Sequence, residues 1–372
     1  MLRKIVATLG LSALLVVPMA ASNAQDATAT PEAGSGIESV CLVTDVGKVN
    51  DGTFNQFAYE GMQKAAADFG LKNTYIETQA QTDYANNINT CVTEGYQAIV
   101  TVGFLIADAT QAAAAANPNI YFMGVDEGFS TPLPNLVGIQ FREDQAGFLV
   151  GALAALTSKS GTIAGIYGIA IPPVIKYRNG YEQGAKYINP NIKTLGVYID
   201  NFNAPDRGAT AAEQFVGEGA DVIFGAGGPT GSGGIVRAAA LKVSVIGVDQ
   251  DEYLTTFGNG ETPGAQYLIS SAEKRVDNGV YNTIQSLVNG EKLPDTSSIV
   301  YTASNGGVDF APPHDSTVPQ AVEDQVAKIR DGLKDGSIVT GVDPVTGELL
   351  AAEAAGSVTP EAMATAEATA SS

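Results

Sequence analysis

Seven residues with carboxylate or amide chemistry fall just after short apolar runs: Asp45, Asp51, Asn55, Asp108, Asp200, Asp249 and Asp251. Three aromatic residues, Phe54, Phe104 and Phe202, share the same stretches, and arginine is almost missing from them. Carboxylate and amide oxygens accept hydrogen bonds from hydroxyls and ring N–H groups. Flat rings stack on nucleobases and sugar faces. A phosphorylated ligand would call for guanidinium forks. The set points to a neutral, hydroxylated ligand that could carry an aromatic ring.

Other chemistries fit less well. The single histidine, His314, nearly excludes a zinc centre of the His/Cys type and leaves a Ser-His-Asp hydrolase one imidazole to use. Asp45, Asn50 and Asp51 could open a calcium-dependent site in a secreted nucleoside hydrolase, which stands as a weaker alternative. The glycine-rich stretch 225–234 follows a strand and opens a helix, imitating a dinucleotide fingerprint. That pattern needs glycine at position 230, where Thr230 stands, and no Gly-Lys-Ser/Thr follows to make a Walker loop. Either these glycines let backbone N–H groups approach a ligand, or they form a tight turn. No metal, no cofactor and no catalysis are expected.

The elements that must carry these residues alternate regularly. Strands are expected over 40–45, 74–77, 98–102, 120–125 and 137–141, with helices over 53–69, 84–94 and 107–115. A second series has strands over 162–167, 194–199, 221–224 and 243–248, with helices over 174–188, 207–218 and 232–241. Such alternation builds α/β lobes on parallel sheets with right-handed crossovers. The strands are apolar throughout, as in sheets covered on both faces. Two successive series predict two doubly wound lobes, with ligands meeting the loops at the carboxyl ends of strands. The candidate residues fall in those loops.

The whole chain agrees with this division. It has 372 residues, 20 Lys plus Arg against 40 Asp plus Glu, and a formal charge of -20. That length suits two domains, and 45% apolar residues can fill their cores. The charge argues against nucleic acid and anionic lipid as partners. Arg3 and Lys4, an apolar run over 5–17, then Pro18 and small residues up to Ala24 predict a signal peptide over 1–24. The run is shorter than the ~20 residues of a spanning helix, so the protein is expected to be exported, periplasmic or at the cell surface. No cysteine precedes Cys41 to accept a lipid anchor. Residues 25–38 read as a flexible linker and 346–372 as a disordered tail. The helix joining strands two and three must cross strand one, which brings Cys91 towards Cys41. In an exported chain this favours a disulfide over a pair of buried thiols.

The run Val43-Thr-Asp-Val-Gly-Lys-Val-Asn-Asp-Gly-Thr-Phe-Asn-Gln56 resembles the opening signature of the basic membrane protein family. Further matches are Gly103-Phe-Leu-Ile-Ala-Asp108, Glu143-Asp-Gln-Ala-Gly-Phe-Leu-Val-Gly151 and Ile246-Gly-Val-Asp249. The best-understood branch of that family comprises purine nucleoside receptors of ABC importers. The resemblance implies a type I periplasmic-binding fold, a monomer, a nucleoside in the cleft and a membrane permease as partner. It divides the chain into lobe one (39–141 plus 268–298) and lobe two (142–267 plus 299–345), joined by a three-strand hinge. It assigns Phe54 and Phe202 to a clamp on the base, and Asp45, Asp51 and Asp108 to the base edge or its surroundings; Asn55, in the loop after the first strand, is a further expected ligand contact. Gly228, Asp249 and Lys274 fall at ribose-binding positions. The chain departs from the family at Gly47-Lys48-Val49-Asn50-Asp51, where Gly-Gly often precedes the acidic pair, and in lacking the anchor cysteine. A binder of simple sugars or another small hydroxylated solute is the alternative within the same class.

Overall fold

The computed structural model describes residues 36–294 and 297–351. The expected signal peptide, most of the expected linker and the tail beyond 351 lie outside the described residues. The first lobe begins with β1 (Ser39–Val46), α1 (Phe54–Phe69), β2 (Lys72–Thr78) and α2 (Tyr84–Thr93). It continues through β3 (Ala98–Val102), α3 (Ala107–Ala116), β4 (Tyr121–Val125) and β5 (Leu136–Phe141). The second lobe opens with α4 (Glu143–Thr157), β6 (Thr162–Tyr167), α5 (Pro172–Ile188), β7 (Lys193–Tyr198) and α6 (Pro205–Gly217). It then adds β8 (Val222–Ala226), α7 (Pro229–Ala240), β9 (Ser244–Asp249) and β10 (Leu268–Lys274). The chain returns for α8 (Val276–Val288) and β11 (Ser298–Tyr301), then ends with β12 (Val308–Phe310) and α9 (Gln320–Asp335).

The sheets run β11-β5-β4-β3-β1-β2 and β12-β10-β9-β8-β6-β7. Every described pairing is parallel except β10 with β12. The central strands are buried along their length, as the unbroken apolar runs require. In each sheet the order reverses beside the first strand, and ligands enter open α/β sheets at such reversals. This is the expected α/β architecture of two doubly wound lobes.

Three connections join the lobes: β5 to α4, β10 to α8, and β11 to β12. The first falls at the expected place. The second lies after Lys274 rather than before residue 268, because Leu268–Lys274 pairs with β9 and β12 in the second sheet. The third lies after Tyr301 rather than at 298, because Ser298–Tyr301 extends the first sheet beside β5. Short apolar strands do not reveal which of two sheets they join.

The folded unit is also longer at both ends than expected. Ile37 is buried and its N–H donates to Leu287 O, so the expected linker enters the fold before residue 39. Residues 341–350 fold back on themselves, with a bridge between Val342 and Leu349, instead of beginning a disordered tail at 346. Cys41 and Cys91 form a disulfide, with Cα atoms 5.9 Å apart.

Helices α4 and α5 meet backbone to backbone. A Cβ on Gly147 or Gly151 would strike the Tyr177 or Tyr181 carbonyl, and one on Gly180 or Gly184 would strike that of Asp144 or Phe148. Spaced four apart on both helices, these glycines let the axes approach and deliver Glu143 and Tyr177 to the cleft.

Candidate functional site

A cavity with about 640 Å3 of empty space, mouth included, opens between the two sets of strand ends. Phe54, the first residue of α1, lines it from one lobe, and Phe202, in the loop after β7, lines it from the other. Gly168 makes room for the second ring, since a Cβ there would overlap Phe202 Cδ1 and Cε1. Gly228 also lines the cavity, at φ 56 where a side chain would be strained, and lies beside the Phe202 backbone.

Four hydrogen bonds fix the first loop. Asp51 accepts from the N–H groups of Thr53, Asn55 and Gln56, and from Asn55 Nδ2 at 3.0 Å. Its carboxylate therefore caps α1 and holds the Asn55 amide, leaving Asn55 Oδ1 buried without a partner. Asp51 thus holds Asn55 at the cavity wall, and its bonded oxygens suit a helix cap better than a calcium site. Asp45 ends β1, where Tyr84 Oη and the Val46 N–H donate to its Oδ1. Burial raises the pKa of Asp45 despite these donors, and raises that of Asp51 likewise.

The opposite end is a buried charge cluster. Lys274 Nζ lies 2.6 Å from Asp126 Oδ2, 3.2 Å from Glu143 Oε1 and 3.9 Å from Asp249 Oδ1. It also sits 4.7 Å from the centre of the Phe54 ring. Tyr177 Oη donates to Asp249 Oδ1 at 3.3 Å. Lys176 Nζ pairs with Glu143 Oε2 at 2.5 Å and donates to the Phe141 carbonyl at 2.8 Å. Burial pushes Asp249 up to about 7 and Asp126 up to about 6, in each case against the pull of Lys274. For Glu143 burial acts the same way, but the two lysines outweigh it and hold its carboxyl below the usual value. Asp126 Oδ1 is buried and has no hydrogen-bond partner.

Of the residues expected from sequence, Asp45, Asp51, Phe54, Asn55, Phe202, Gly228, Asp249 and Lys274 line this one cavity. Asp108 does not. A short 3-10 turn over Phe104–Ile106 precedes α3 and leaves Asp108 exposed in that helix's first turn, where a carboxylate favours the helix dipole. Phe104 lines the cavity, whereas Asp251 lies outside its lining and pairs with His314 Nε2 at 2.5 Å.

Asp126, Glu143, Tyr177 and Lys176 were missed. A signal for Asp126 existed: Gly-Val-Asp closes β9 and straddles the end of β4, and Asp126 and Asp249 both have positive φ, 62° and 66°. The tripeptide alone is weak, since 307–309 and 341–343 repeat it elsewhere.

The lobes are closed on each other. Gln250 Nε2 donates to Gly52 O at 2.9 Å, Thr255 Oγ1 to the same carbonyl at 2.8 Å, and Asn203 Nδ2 to Val46 O at 2.9 Å. Two α/β lobes closing around a cavity lined by aromatic rings and a few buried polar groups define a solute-binding protein. The chain belongs to the family described as ABC transporter substrate-binding protein PnrA-like, whose model matches residues 38–341. This is a family of binding proteins, not enzymes.

The chain is 30% identical over 351 residues to the ABC transporter nucleoside-binding protein BmpA of Lactococcus lactis subsp. cremoris, covering 91% of this chain and 99% of that one. It is 34% identical over 222 residues to basic membrane protein A of Borreliella afzelii, covering 59% of this chain and 68% of the other. A solute-binding protein of an ABC transporter system from Aeropyrum pernix K1 shares the fold, with TM-score 0.71 and 24% identity, over 82% and 94% of the two chains. Among the described residues no helix is long and apolar enough to cross a membrane.

Proposed function

We propose that the protein binds nucleosides, purine nucleosides first among them, outside the cytoplasm and as a monomer, and hands them to the permease of an ABC importer. One observation carries this reading: Phe54 and Phe202 reach a single cavity from opposite lobes, beside buried acceptors that lack donors. A base between the rings gains ~1–3 kcal/mol of stacking and tolerates changes of base. Asp45 and the Asn55 Oδ1 accept from the base edge, with Asp51 holding the amide in place. Asp249, Lys274 and the backbone at Gly228 take the sugar hydroxyls, and Asp126 Oδ1 adds an acceptor there. The Lactococcus relative, a nucleoside-binding protein by name, supports the same ligand class.

Splitting the clamp between lobes couples binding to closure, because the full set of contacts exists only in the closed form. A permease can read that form. Calorimetry with inosine, guanosine, adenosine, uridine and ribose tests the proposal. Nucleosides are expected to bind at least 100-fold more tightly than ribose. Ribose binding in the absence of nucleoside binding would instead make this a sugar receptor.

A further inference from the structure

The cleft continues past its charged end. A second space, about 1010 Å3 with open solvent included, also lies between the lobes. Phe104, Asp126 and Pro173 line both spaces and so stand between them. The floor of the second is Asp126, Glu143 and Lys176, the charged groups clustered around Lys274, which places it on the sugar side of the clamp. Its rim is formed by Ser130 of the first lobe and Thr346 of the second, both exposed. Thr346 sits on the folded-back segment 341–350, which Asn179 Nδ2 holds by donating to Gly347 O at 2.7 Å. That segment lies almost wholly beyond the matched residues 38–341.

The charges on the floor restrict what could enter. Lys176 and Lys274 are already paired with Glu143, Asp126 and a carbonyl, and the oxygen left over from those pairs is Asp126 Oδ1. A phosphate would meet repulsion without a guanidinium or a spare ammonium to offset it. A short neutral group meets neither penalty. Once the vicinal hydroxyls of a ribose pair with Asp249 and Lys274, the exocyclic 5′ carbon is the arm left to extend.

We propose that this second space is a subsite for a short uncharged substituent on the 5′ carbon, so that the protein takes 5′-modified nucleosides as readily as the parent compounds. The inference rests on the nucleoside reading above. Its test is calorimetry on the full chain with adenosine, inosine, their 5′-methylthio derivatives and adenosine 5′-monophosphate. A Ser130→Trp/Thr346→Trp variant, altered only at the exposed rim, is measured alongside. The methylthio compounds are expected to bind within about fivefold of their parents, and the monophosphate at least 50-fold more weakly than adenosine. In the variant the methylthio compounds should lose at least tenfold and the parents less than twofold. Parents that bind while methylthio derivatives fall more than tenfold behind would overturn the subsite alone. So would a tryptophan pair that affects both classes alike, or a monophosphate bound as tightly as adenosine. Failure of every nucleoside to bind would overturn the nucleoside reading and this inference with it.

Discussion

Lys274 Nζ and Asp126 Oδ2 stand 2.6 Å apart, yet the lysine ends a strand of the second sheet and the aspartate directly follows a strand of the first. Both side chains are almost wholly buried. The pair therefore ties the lobes together at the floor of the cavity, and Glu143 and Asp249 complete its charge balance. Replacing one member of a buried pair leaves the others uncompensated, at a cost of about 3–5 kcal/mol. Lys274→Met is expected to lower Tm sharply, and Lys274→Met with Asp126→Asn to recover part of the loss. Thermal unfolding of the three proteins measures this; a double variant no more stable than the single one would refute the coupling.

The clamp residues give a binding prediction. Phe54→Ala and Phe202→Ala should each weaken nucleoside binding by ~1–3 kcal/mol, roughly 5- to 150-fold, with the fold intact. Titration calorimetry reads the change directly. Unchanged affinity in both variants would remove the basis for a stacked base.

Gly168 offers a test that leaves both rings in place. Because a Cβ there would overlap the Phe202 ring, Gly168→Ala is expected to displace that ring and cut nucleoside affinity about tenfold. Thermal stability should fall by no more than ~1–3 kcal/mol, the usual cost of overpacking. Full affinity in a folded variant would mean that the ring position does not matter to the ligand.

Seven of the eight expected residues that meet in the cavity were legible because strand–loop–helix periodicity puts them in loops at the carboxyl ends of strands, whereas Lys274 came only from the family resemblance, since no strand was expected before it. Asp108 was misplaced because a few residues of 3-10 turn rotate a side chain off the cleft, and spacing does not encode that rotation. Glu143 and Tyr177 were hidden for a different reason. They sit on α4, a near-continuous run of apolar and small residues, and on α5, whose glycines face α4; both patterns report close helix packing rather than chemistry. Their approach to Lys274 exists only after the second lobe has folded, because β10 is distant in sequence from α4 and α5 and meets them only within it. The lobe boundaries at 268 and 298 failed similarly, since strand membership is decided by pairing partners far away in sequence.

Acid should stabilise this protein over a defined range. Burial raises Asp249 and Glu252 to about 7 and Asp126 to about 6, above the ~4 of unfolded carboxyls. The folded chain then holds protons that the unfolded chain releases, so stability falls as pH climbs from about 4 to about 7. Glu143 has the opposite sign, because its lowered pKa gives a stabilisation that is lost as pH drops below the usual carboxyl value. Tm of the unliganded protein is expected to rise on going from pH 8 to pH 5 and to turn over below about pH 4. Asp249→Asn should flatten the rise, and a Tm that falls steadily from pH 8 to pH 5 would contradict the assignment.

A crystal structure of the complex with inosine tests the central claim most directly. The purine should lie between the rings of Phe54 and Phe202, its edge towards Asn55 and Asp45, with the ribose against Asp249, Lys274 and Asp126. A purine bound elsewhere, or one touching only one of the two rings, would contradict the account.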